Sequence, residues 1–562
     1  MKVCKKNILI LAAAFLCGAI YSQNNAVQEN GAEPVEEIFL PDVSTVISGG
    51  APKVGKSAIS DFTDVLPSAD KQVEYVIPEL PETSEAGTLN SDSVLQVVPE
   101  KTIYVEGVAG GGYPGYITGN FKIYRQTGVS PFKVEFGHDS ANGYAGKSLT
   151  SAYSDRETYI AAEKVFKTKR TQLNLSGKFE SDNDGLQNKF ENISGITKET
   201  LSANLDWKMD FENGVGFGFS SDGNWYKRYA TVTGTPKSKI EDYAKNIGFL
   251  DFLPEAGFWW KNNGFELKFN ASYNLAYDLK NALFGYKATS RGDFAVDFSW
   301  QDKSETAKIY ANAGIVVGNH IGGNDFVVPF CAGTDFSFKN ALSSRKITLG
   351  FEGGLDSYLP EVSSLENKFK FAVVAAMPEE ISDFYGKATM LFPIKDRFTL
   401  SAFSEFRKTA FDNGLIEPDY DSEVPLSDIF GQYLFVQDEK TQFNTDINFA
   451  VRIGIANISA NWKSYWIDVP ADEASQFVNA AISLQTENSA FGFDGSFGLS
   501  LNPDDDNVPE VDLSVFWRLT PAVRLAVTVD DVVKLISGEE REYAGEYISR
   551  SGTAALLVKF FF

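Results

Sequence analysis

The chain alternates apolar and polar side chains along segments that have the length of β-strands. From Phe265 to Asp278, every odd position is apolar or aromatic and every even position except Ala276 is polar. A period of two gives a strand one apolar face and one polar face. Comparable alternation recurs at 201–212, 443–453, 511–519 and 523–529. Such a chain forms either soluble sheets that pack their apolar faces together, or a closed barrel that turns those faces to lipid.

The N-terminal residues indicate secretion and bear on this choice. Three lysines within the first six residues precede an apolar stretch at 8–16, and small residues follow up to Ser22. This order of charge, apolar core and small residues predicts a secretory signal peptide at residues 1–22. Cleavage after Ala19 is the alternative. Lipoprotein processing at Cys17 is disfavoured, because a large residue precedes it where a small one is expected.

The C-terminal residues give a second signal. Ala554, Leu556, Val558, Phe560 and Phe562 occupy alternate positions, so the last strand presents one apolar face. This pattern resembles the closing strand of bacterial outer-membrane β-barrels, whose final aromatic residue and alternating apolar residues are bound by the barrel assembly machinery. The resemblance implies a location in the cell outer membrane, contact with outer-membrane lipid, and the assembly machinery as a partner of the Phe562 strand.

Composition agrees with this fold class. After residue 22 no apolar run approaches the roughly 18 to 20 residues that a membrane-spanning helix needs, and the mean hydropathy is −0.17. Aromatic residues make up 14% of the chain, which suits a lipid-facing wall with interfacial rings. The sequence therefore predicts an all-β fold, a large antiparallel transmembrane β-barrel of about 18 to 22 strands, with 22 favoured.

Strands are expected throughout the region from residue 101 to residue 562. The predicted segments are 103–108, 116–124, 132–136, 157–168, 170–180, 199–212, 215–230, 245–260, 264–278, 283–300, 306–318, 325–339, 344–358, 364–376, 383–394, 397–410, 430–438, 441–453, 456–468, 475–487, 490–501, 509–519, 521–531 and 550–562. Tight turns are predicted at 262–264, 213–214 and 395–397, on the periplasmic side. Longer polar connections are predicted at 139–155, 181–198, 411–429 and 532–549, mostly outside the cell.

The region between the signal peptide and the barrel differs in composition. Residues 23–100 contain seven of the 21 prolines, many acids and three lysines. Because proline denies ladder hydrogen bonds, this region is predicted to be a mostly irregular periplasmic arm. The alternative is a partial plug, in which short apolar islands such as 38–40 dock at the barrel. The run Asp42–Ile47 loosely resembles the short box by which TonB-dependent receptors contact their energy-transducing partner, so a TonB-like or other periplasmic partner is a candidate.

The stretch from Ala522 to the C-terminus resembles the end of TonB-dependent receptor barrels. In that family a motif with Asn-Leu-Phe-Asp follows the penultimate strand, and Asp530-Asp531-Val532-Val533 stands in that place here. A count of 22 strands fits the family as well. The resemblance covers residues 101–562 and implies a transport barrel. The family's plug domain is missing, because residues 23–100 are too few and too polar to fill so wide a lumen.

Few residues suggest chemistry beyond transport. His138, Asp139 and Ser140 are the residue types of a hydrolytic triad, but neighbours on a strand point to opposite faces. His320 lies in a turn-rich stretch, and two histidines do not suffice for a usual zinc site. Oxygen ligands for Ca²⁺ are offered by two acidic groups: Asp504, Asp505, Asp506 and Asn507, and Asp419, Asp421, Glu423 and Asp428. Neither has dedicated loop spacing, so we predict no enzyme, no catalytic or cofactor-binding residue, and no metal site.

The polar faces of the strands suggest what the barrel does. They carry both signs of charge with acids in excess, as in Glu266, Lys268 and Asp278; Asp206, Lys208, Asp210 and Glu212; and Lys463, Arg452, Asp446 and Arg518. The net charge of −24 argues against nucleic acid as a partner. Two hypotheses remain. One is a porin-like channel or transport barrel passing small solutes, with the N-terminal arm as a candidate gate; the other is a structural or surface-interaction barrel, adhesin-like, with a blocked lumen.

Overall fold

The chain folds as a closed antiparallel β-barrel. The computed structural model describes residues 103–562 except 126–129, 145–150, 191–192, 212, 233–245, 281–282, 284–286, 320–325, 344, 395–396, 411–414, 421–430, 472, 487–489, 502–508, 539, 541 and 551. The expected signal peptide and the expected arm, residues 1–22 and 23–100, lie outside the described residues. No helix within the described part of the chain is long and apolar enough to cross a bilayer.

The described strands and helices follow one another with short connections. The strands are β1 (Tyr104–Tyr113), β2 (Tyr116–Arg125), β3 (Phe132–Asn142), β4 (Ser154–Lys167), β5 (Thr171–Gly185), β6 (Ile193–Asp210), β7 (Val215–Val232), β8 (Asn246–Asn262), β9 (Phe265–Asp278), β10 (Ala288–Gln301), β11 (Ala307–Gly318), β12 (Phe326–Val327), β13 (Phe330–Phe338), β14 (Ile347–Tyr358), β15 (Ala372–Val373), β16 (Ile381–Ile394), β17 (Phe398–Thr409), β18 (Leu415–Pro418), β19 (Tyr433–Asp438), β20 (Thr441–Ile453), β21 (Ala456–Ile467), β22 (Gln476–Gln485), β23 (Phe491–Leu501), β24 (Glu510–Thr520), β25 (Val523–Asp530), β26 (Glu542–Ala544), β27 (Tyr547–Ile548) and β28 (Thr553–Phe561). The helices are α1 (Val362–Lys368) and α2 (Val532–Ser537).

Twenty-two of these strands form the wall, namely all except β12, β15, β18, β19, β26 and β27. Each wall strand pairs antiparallel with its neighbours in sequence, and β1 pairs with β28 to close the sheet. The closing register places Gly107 opposite Phe560. Closure removes the unpaired edges that an open sheet would present to lipid.

An apolar belt surrounds the barrel on its outer face. On β4 to β8 the side chains of Ile160, Phe179, Leu201, Trp225 and Leu250 form one cross-strand row, and all except Trp225 are exposed. We call this row the edge row, because the outward positions change character there. On one side of the edge row the outward side chains are apolar. On β6 this apolar face runs from Leu201 to Met209, which is about the length of nine to eleven residues that a strand needs to span a bilayer.

Beyond the edge row, the outward side chains become polar. Arg156, Asn183, Glu199 and Lys227 occupy these outward positions on β4, β5, β6 and β7. These strands therefore continue past the membrane surface into water. The predicted long connection at 181–198 is wrong for this reason, since its polar residues are mostly the ends of β5 and β6 and only 186–192 connects them.

The two ends of the barrel differ in their connections. At one end the strands are joined by tight turns, such as Asn263–Gly264 between β8 and β9, where both residues have positive φ angles of 48° and 83°. The N-terminus of β1 and the C-terminus of β28 also lie at this end, since the Val105 N–H donates to the Phe562 carbonyl at 3.0 Å. The longer connections lie at the opposite end, which we call the mouth.

Two predicted wall strands lie at the mouth instead. Residues 364–376 contain most of α1 and β15, and 430–438 contains β19, which pairs with β15 and β18 but not with the wall. The apolar residues of these segments are buried among other protein side chains, among them Phe371, Ala372 and Tyr433. A buried apolar segment and a lipid-facing strand use the same residue types, and this is why the sequence pattern did not separate them.

The assignment of outer and inner faces makes a prediction for β6. Changing Leu205 to Arg puts a charge at the centre of the apolar belt, and we expect the free energy of unfolding to fall by about 2 to 4 kcal/mol. Urea titration of the protein folded in phospholipid vesicles, followed by tryptophan fluorescence, measures this change. Asn204→Arg, on the water-facing side of the same strand, is the control and should cost much less; equal losses would contradict the assignment.

Candidate functional site: a capped lumen

The inner wall of the barrel carries the charged rows that the sequence predicts. Lys208 forms an ion pair with Asp206 at 3.0 Å, and the Trp259 indole donates to Asp210 at 3.2 Å. Elsewhere on the inner wall, Lys463 pairs with Glu473 at 2.7 Å. Charges of opposite sign thus neutralise each other along the wall, and water can solvate the remainder.

Three connections at the mouth contact the inward-facing ends of the strands. They are residues 359–380 between β14 and β16, 431–438 between β17 and β20, and 545–550 between β25 and β28. We call these three segments the cap. The first is the longest and contains α1 and β15. The parallel pairing of β15 with β19 joins the second segment to the first.

Two apolar clusters hold the cap against the barrel. In the first, cap residues Phe369, Phe371, Ala372, Tyr433 and Tyr547 pack with Leu186, Ile193 and Ile196 of the β5–β6 region. In the second, Val362, Val374 and Met377 pack with Tyr226, Ile247, Phe249 and Ala276 of β7, β8 and β9. Phe371 and Tyr547 stack with ring centroids 3.8 Å apart, and the Tyr547 hydroxyl donates to the Gly431 carbonyl. The cap is therefore packed like a protein interior.

A chain of buried and partly buried charges lies between the cap and the wall. Its members are four acids, Asp139, Asp155, Asp184 and Glu366, and four bases, Lys198, Arg228, Lys370 and Arg550. The ion-pair distances are 2.7 Å for Arg550–Asp139, 3.5 Å for Arg550–Asp155, 3.0 Å for Lys370–Asp155, 3.1 Å for Lys370–Asp184, 3.7 Å for Lys198–Asp184 and 2.8 Å for Arg228–Glu366. We call this group the cap network. Its formal charges sum to zero.

Glu366 joins α1 to the barrel wall. Its carboxylate is fully buried and accepts hydrogen bonds from the Tyr226 hydroxyl at 2.6 Å and from the Val374 N–H at 2.9 Å. Arg228 completes the ion pair and also donates to the Gln432 side chain at 3.2 Å. Lys198 donates to the backbone carbonyls of Glu366 and Lys370. One wall region thereby fixes both the position of α1 and that of the chain at 431–432.

The cap network lies on the mouth side of the edge row, outside the apolar belt. Burial by itself raises the pKa of Asp155, but Lys370 and Arg550 overcome this effect and hold the pKa below its ordinary value. Lys198 shows the opposite balance, because burial lowers its pKa in spite of Asp184 and Glu366. The ion pairs therefore depend on the cap staying in place, since each charge is desolvated with its partner.

His138, Asp139 and Ser140 do not form a hydrolytic triad, as the sequence analysis predicts. His138 contacts Thr158 Oγ1 at 2.8 Å and Ser140 Oγ at 3.1 Å. Asp139 instead faces the lumen, where it accepts from the Tyr116 hydroxyl at 2.6 Å and pairs with Arg550. As the alternation of side chains requires, histidine and aspartate lie on opposite faces of β3.

Most of the other residues that the sequence analysis weighed for a site cannot be placed. His320, the acids at 504–506, Asp421, Glu423, Asp428 and Glu212 lie outside the described residues. Asp419 is described, and its N–H donates to the Leu434 carbonyl. In the described region, two clusters of three carboxylates are spaced closely enough to hold a cation. One is Glu157, Glu180 and Asp182, and the other is Glu510, Asp512 and Asp530. The expectation of no metal site stays a prediction.

The sequence contains one signal for the cap. From Phe371 to Met377 the chain reads Phe-Ala-Val-Val-Ala-Ala-Met, with no polar residue at alternate positions. No described lipid-facing strand of this barrel has seven consecutive apolar residues, because the inner face of such a strand mostly meets water. A continuous apolar run indicates a segment buried on all sides. The ion partners of the cap residues Glu366 and Lys370, by contrast, come from strands far away in sequence, and no local pattern indicates them.

No protein-family model matches the chain, and no curated protein matches it in sequence. Among solved structures, the barrel is similar to the FrpB iron transporter from Neisseria meningitidis (F3-3 variant), with a TM-score of 0.59 and 9% identity over 83% of this chain and 82% of that chain. The copper transporter OprC gives a TM-score of 0.59 and 11% identity over 82% of each chain. BauA, the ferric preacinetobactin receptor from Acinetobacter baumannii, gives 0.56 and 9% over 82% and 80%.

These likenesses concern the fold. They confirm the predicted barrel fold, because the 22-stranded antiparallel barrel of this chain is similar to the barrels of these three proteins. The neighbours are named as transporters or as a receptor. At identities near one tenth, no substrate of a neighbour is assigned to this chain.

The buried position of Glu366 makes a prediction about the cap. Glu366→Ala leaves Arg228 without its carboxylate, and we expect the cap to lose about 3 to 5 kcal/mol of local stability. Hydrogen exchange of the 369–377 backbone measures this loss in the folded barrel. Glu266→Ala is the control, because the ion pair of Glu266 with Lys261 is exposed and contributes about 0 to 1 kcal/mol. Unchanged exchange in Glu366→Ala would show that the ion pair does not hold the cap.

The lowered pKa of Asp155 predicts an acid dependence. A carboxylate with a depressed pKa in the folded state stabilises that state above its ordinary pKa of about 3.9, and this contribution is lost as the pH falls through the folded value. Asp155→Asn should therefore speed exchange in the cap at pH 7, and its difference from the unchanged protein should shrink below about pH 4. A difference that grows on acidification would contradict this assignment.

Proposed function

We propose that the protein is an outer-membrane transport barrel that passes small solutes. The observation that supports this function best is the inner wall, which carries polar and charged side chains throughout the height of the apolar belt. A barrel with only a mechanical role in the membrane has no need of a lumen lined this way. Opposite charges on the wall are largely paired, and acids are in excess among the luminal rows. We therefore expect weak selectivity with a mild preference for cations.

The cap limits the size of what passes. It lies against the mouth ends of β4 to β9 and closes that side of the mouth with two apolar clusters. Any route to the lumen from this end runs beside the cap or requires it to move. Small solutes fit such a restricted route better than large chelates or polymers.

The N-terminal arm is a candidate gate at the other end. Residue 103 lies where β1 and β28 meet, at the end with the tight turns, so the arm at 23–100 connects there. We propose that this arm is periplasmic, and that a TonB-like or other periplasmic protein contacts it through Asp42–Ile47. The strand ending at Phe562 is the proposed contact of the barrel assembly machinery. The neighbours are transporters and receptors, in keeping with a protein that is not an enzyme.

A second function has specific support. The cap combines two apolar clusters with a neutral network of buried charges, and such a structure could close the mouth permanently. The barrel would then present its outer surface to a partner without conducting solutes, as a structural or adhesin-like protein. Transport and surface interaction differ in whether the lumen conducts solutes, so a measurement of conductance separates the two functions.

Conductance in planar bilayers tests the proposal. We expect the full chain to show small, weakly cation-selective currents. Deletion of 23–100 should raise the conductance if the arm is a gate, and Glu366→Ala should raise it if the cap limits flow. If the full chain and both variants are all silent, while cells that lack the protein lose adhesion, transport is wrong and the surface-interaction function stands.

A further inference from the structure

A cavity of about 430 Å³ lies in the luminal wall directly under the cap. Its floor comes from β3 to β7, and Glu361, the residue that precedes α1, contributes to its rim. Pockets of this size hold small organic solutes and are too large for a single ion. The cavity belongs to the inner wall at the level of the edge row, on the path that a solute in the lumen would take.

The strand register explains why the cavity exists. Two adjacent cross-strand rows run over β3 to β7: the upper row is Glu135, Ala161, Lys178, Ser202 and Asn224, and the lower row is Lys133, Glu163, Ser176, Asn204 and Asp222. Three central members, Ala161, Ser176 and Ser202, have very short side chains. Longer polar side chains surround them on both sides. The recess is therefore built into the wall by residue size.

The charges around the recess are unequal. Lys133 pairs with Glu135 at 2.6 Å, and Lys178 pairs with Glu180 at 2.6 Å, so both lysines already have carboxylate partners. The carboxylates of Glu163, Asp222 and Glu361 form no ion pair with any residue that the structure describes. The four acids and two lysines that line this partly enclosed recess sum to a formal charge of −2, which attracts a cation and repels an anion.

The recess also offers neutral hydrogen-bonding groups. Asn204 donates to Asp222, and Asn224 donates to Ser363 of α1 at 2.8 Å. The side-chain oxygen of Asn224 is buried and accepts no hydrogen bond from a described residue. A buried acceptor without a donor costs free energy. The hydroxyls of Ser176 and Ser202 lie on the floor between these groups.

We propose that this cavity binds a small polar solute that carries a protonated amine and several hydroxyl groups. The excess negative charge of Glu163, Asp222 and Glu361 attracts the ammonium group, and the hydroxyls bond to the serine and asparagine side chains. This inference rests on the proposed transport function and names the class of solute that the barrel would pass. Because Glu361 and Ser363 belong to the cap, binding also couples the solute to the position of α1.

Three sugars that differ mainly in charge test the proposal. Glucosamine is a cation at neutral pH, glucose is neutral and glucuronate is an anion, while all three have similar hydroxyl groups. We expect calorimetric titration of the purified full chain in detergent at low salt to give the order glucosamine, then glucose, then glucuronate. Equal affinities, or tighter binding of glucuronate, would overturn the proposal without any variant.

A pair of variants locates the site. Asp222→Asn with Glu163→Gln should weaken glucosamine binding roughly three- to tenfold, because partly exposed charge pairs have modest strength. Glu266→Gln removes a luminal charge of β9 outside the cavity and should leave binding unchanged. Heat-dependent electrophoretic mobility checks that each variant is a folded barrel. Unchanged binding in the folded double variant would overturn the assignment to this cavity.

The outcome is separable from that of the proposed function. Binding is measured in detergent and needs no current, whereas transport is measured as conductance. Charge-ordered binding in a barrel that never conducts would refute transport and keep the site. Conductance without charge-ordered binding would keep transport and refute the site.

Discussion

Hydrogen bonding of the backbone inside a bilayer is the constraint on which the rest of this structure depends. Each wall strand must bond to a neighbour on both sides, and the pairing of β1 with β28 satisfies this requirement for the whole sheet. Once the sheet is closed, each wall side chain faces either the lipid or the lumen. Odd and even positions along each strand are divided between lipid and lumen, and the apolar belt and the charged inner rows are consequences of that division.

The cap is a second protein interior attached to this cylinder. On the mouth side of the edge row, inward side chains of β4 to β9 no longer line an open lumen but pack against the cap. Five of the eight charged residues are buried there, which is costly, and a buried ion network generally stabilises a fold less than apolar residues of the same volume would. Its pairing geometry is specific, however. Glu366 finds Arg228, Tyr226 and the Val374 N–H together at one place only, so the network fixes the orientation of α1.

The position of α1 connects the cap with the wall beneath it. Asn224 bonds to Ser363 in α1, while its neighbours in the cross-strand rows form the floor of the recess. A movement of the cap therefore changes the rim of the cavity as well as the width of the mouth. Access to the lumen and the chemistry of its inner wall are linked through one short helix.

The sequence by itself determined the barrel, because alternation along a strand is a local property that directly decides which side chains face lipid. It also determined that Asp139 and His138 face opposite ways. The alternation could not tell that 364–376 and 430–438 leave the wall, since apolar side chains buried in protein resemble those buried in lipid. Only the tertiary structure decided the cap network and the recess, because Lys198, Arg228, Glu366 and Arg550 are brought together from four separate parts of the chain. Their pairing depends on the register of a closed cylinder, which no local pattern encodes.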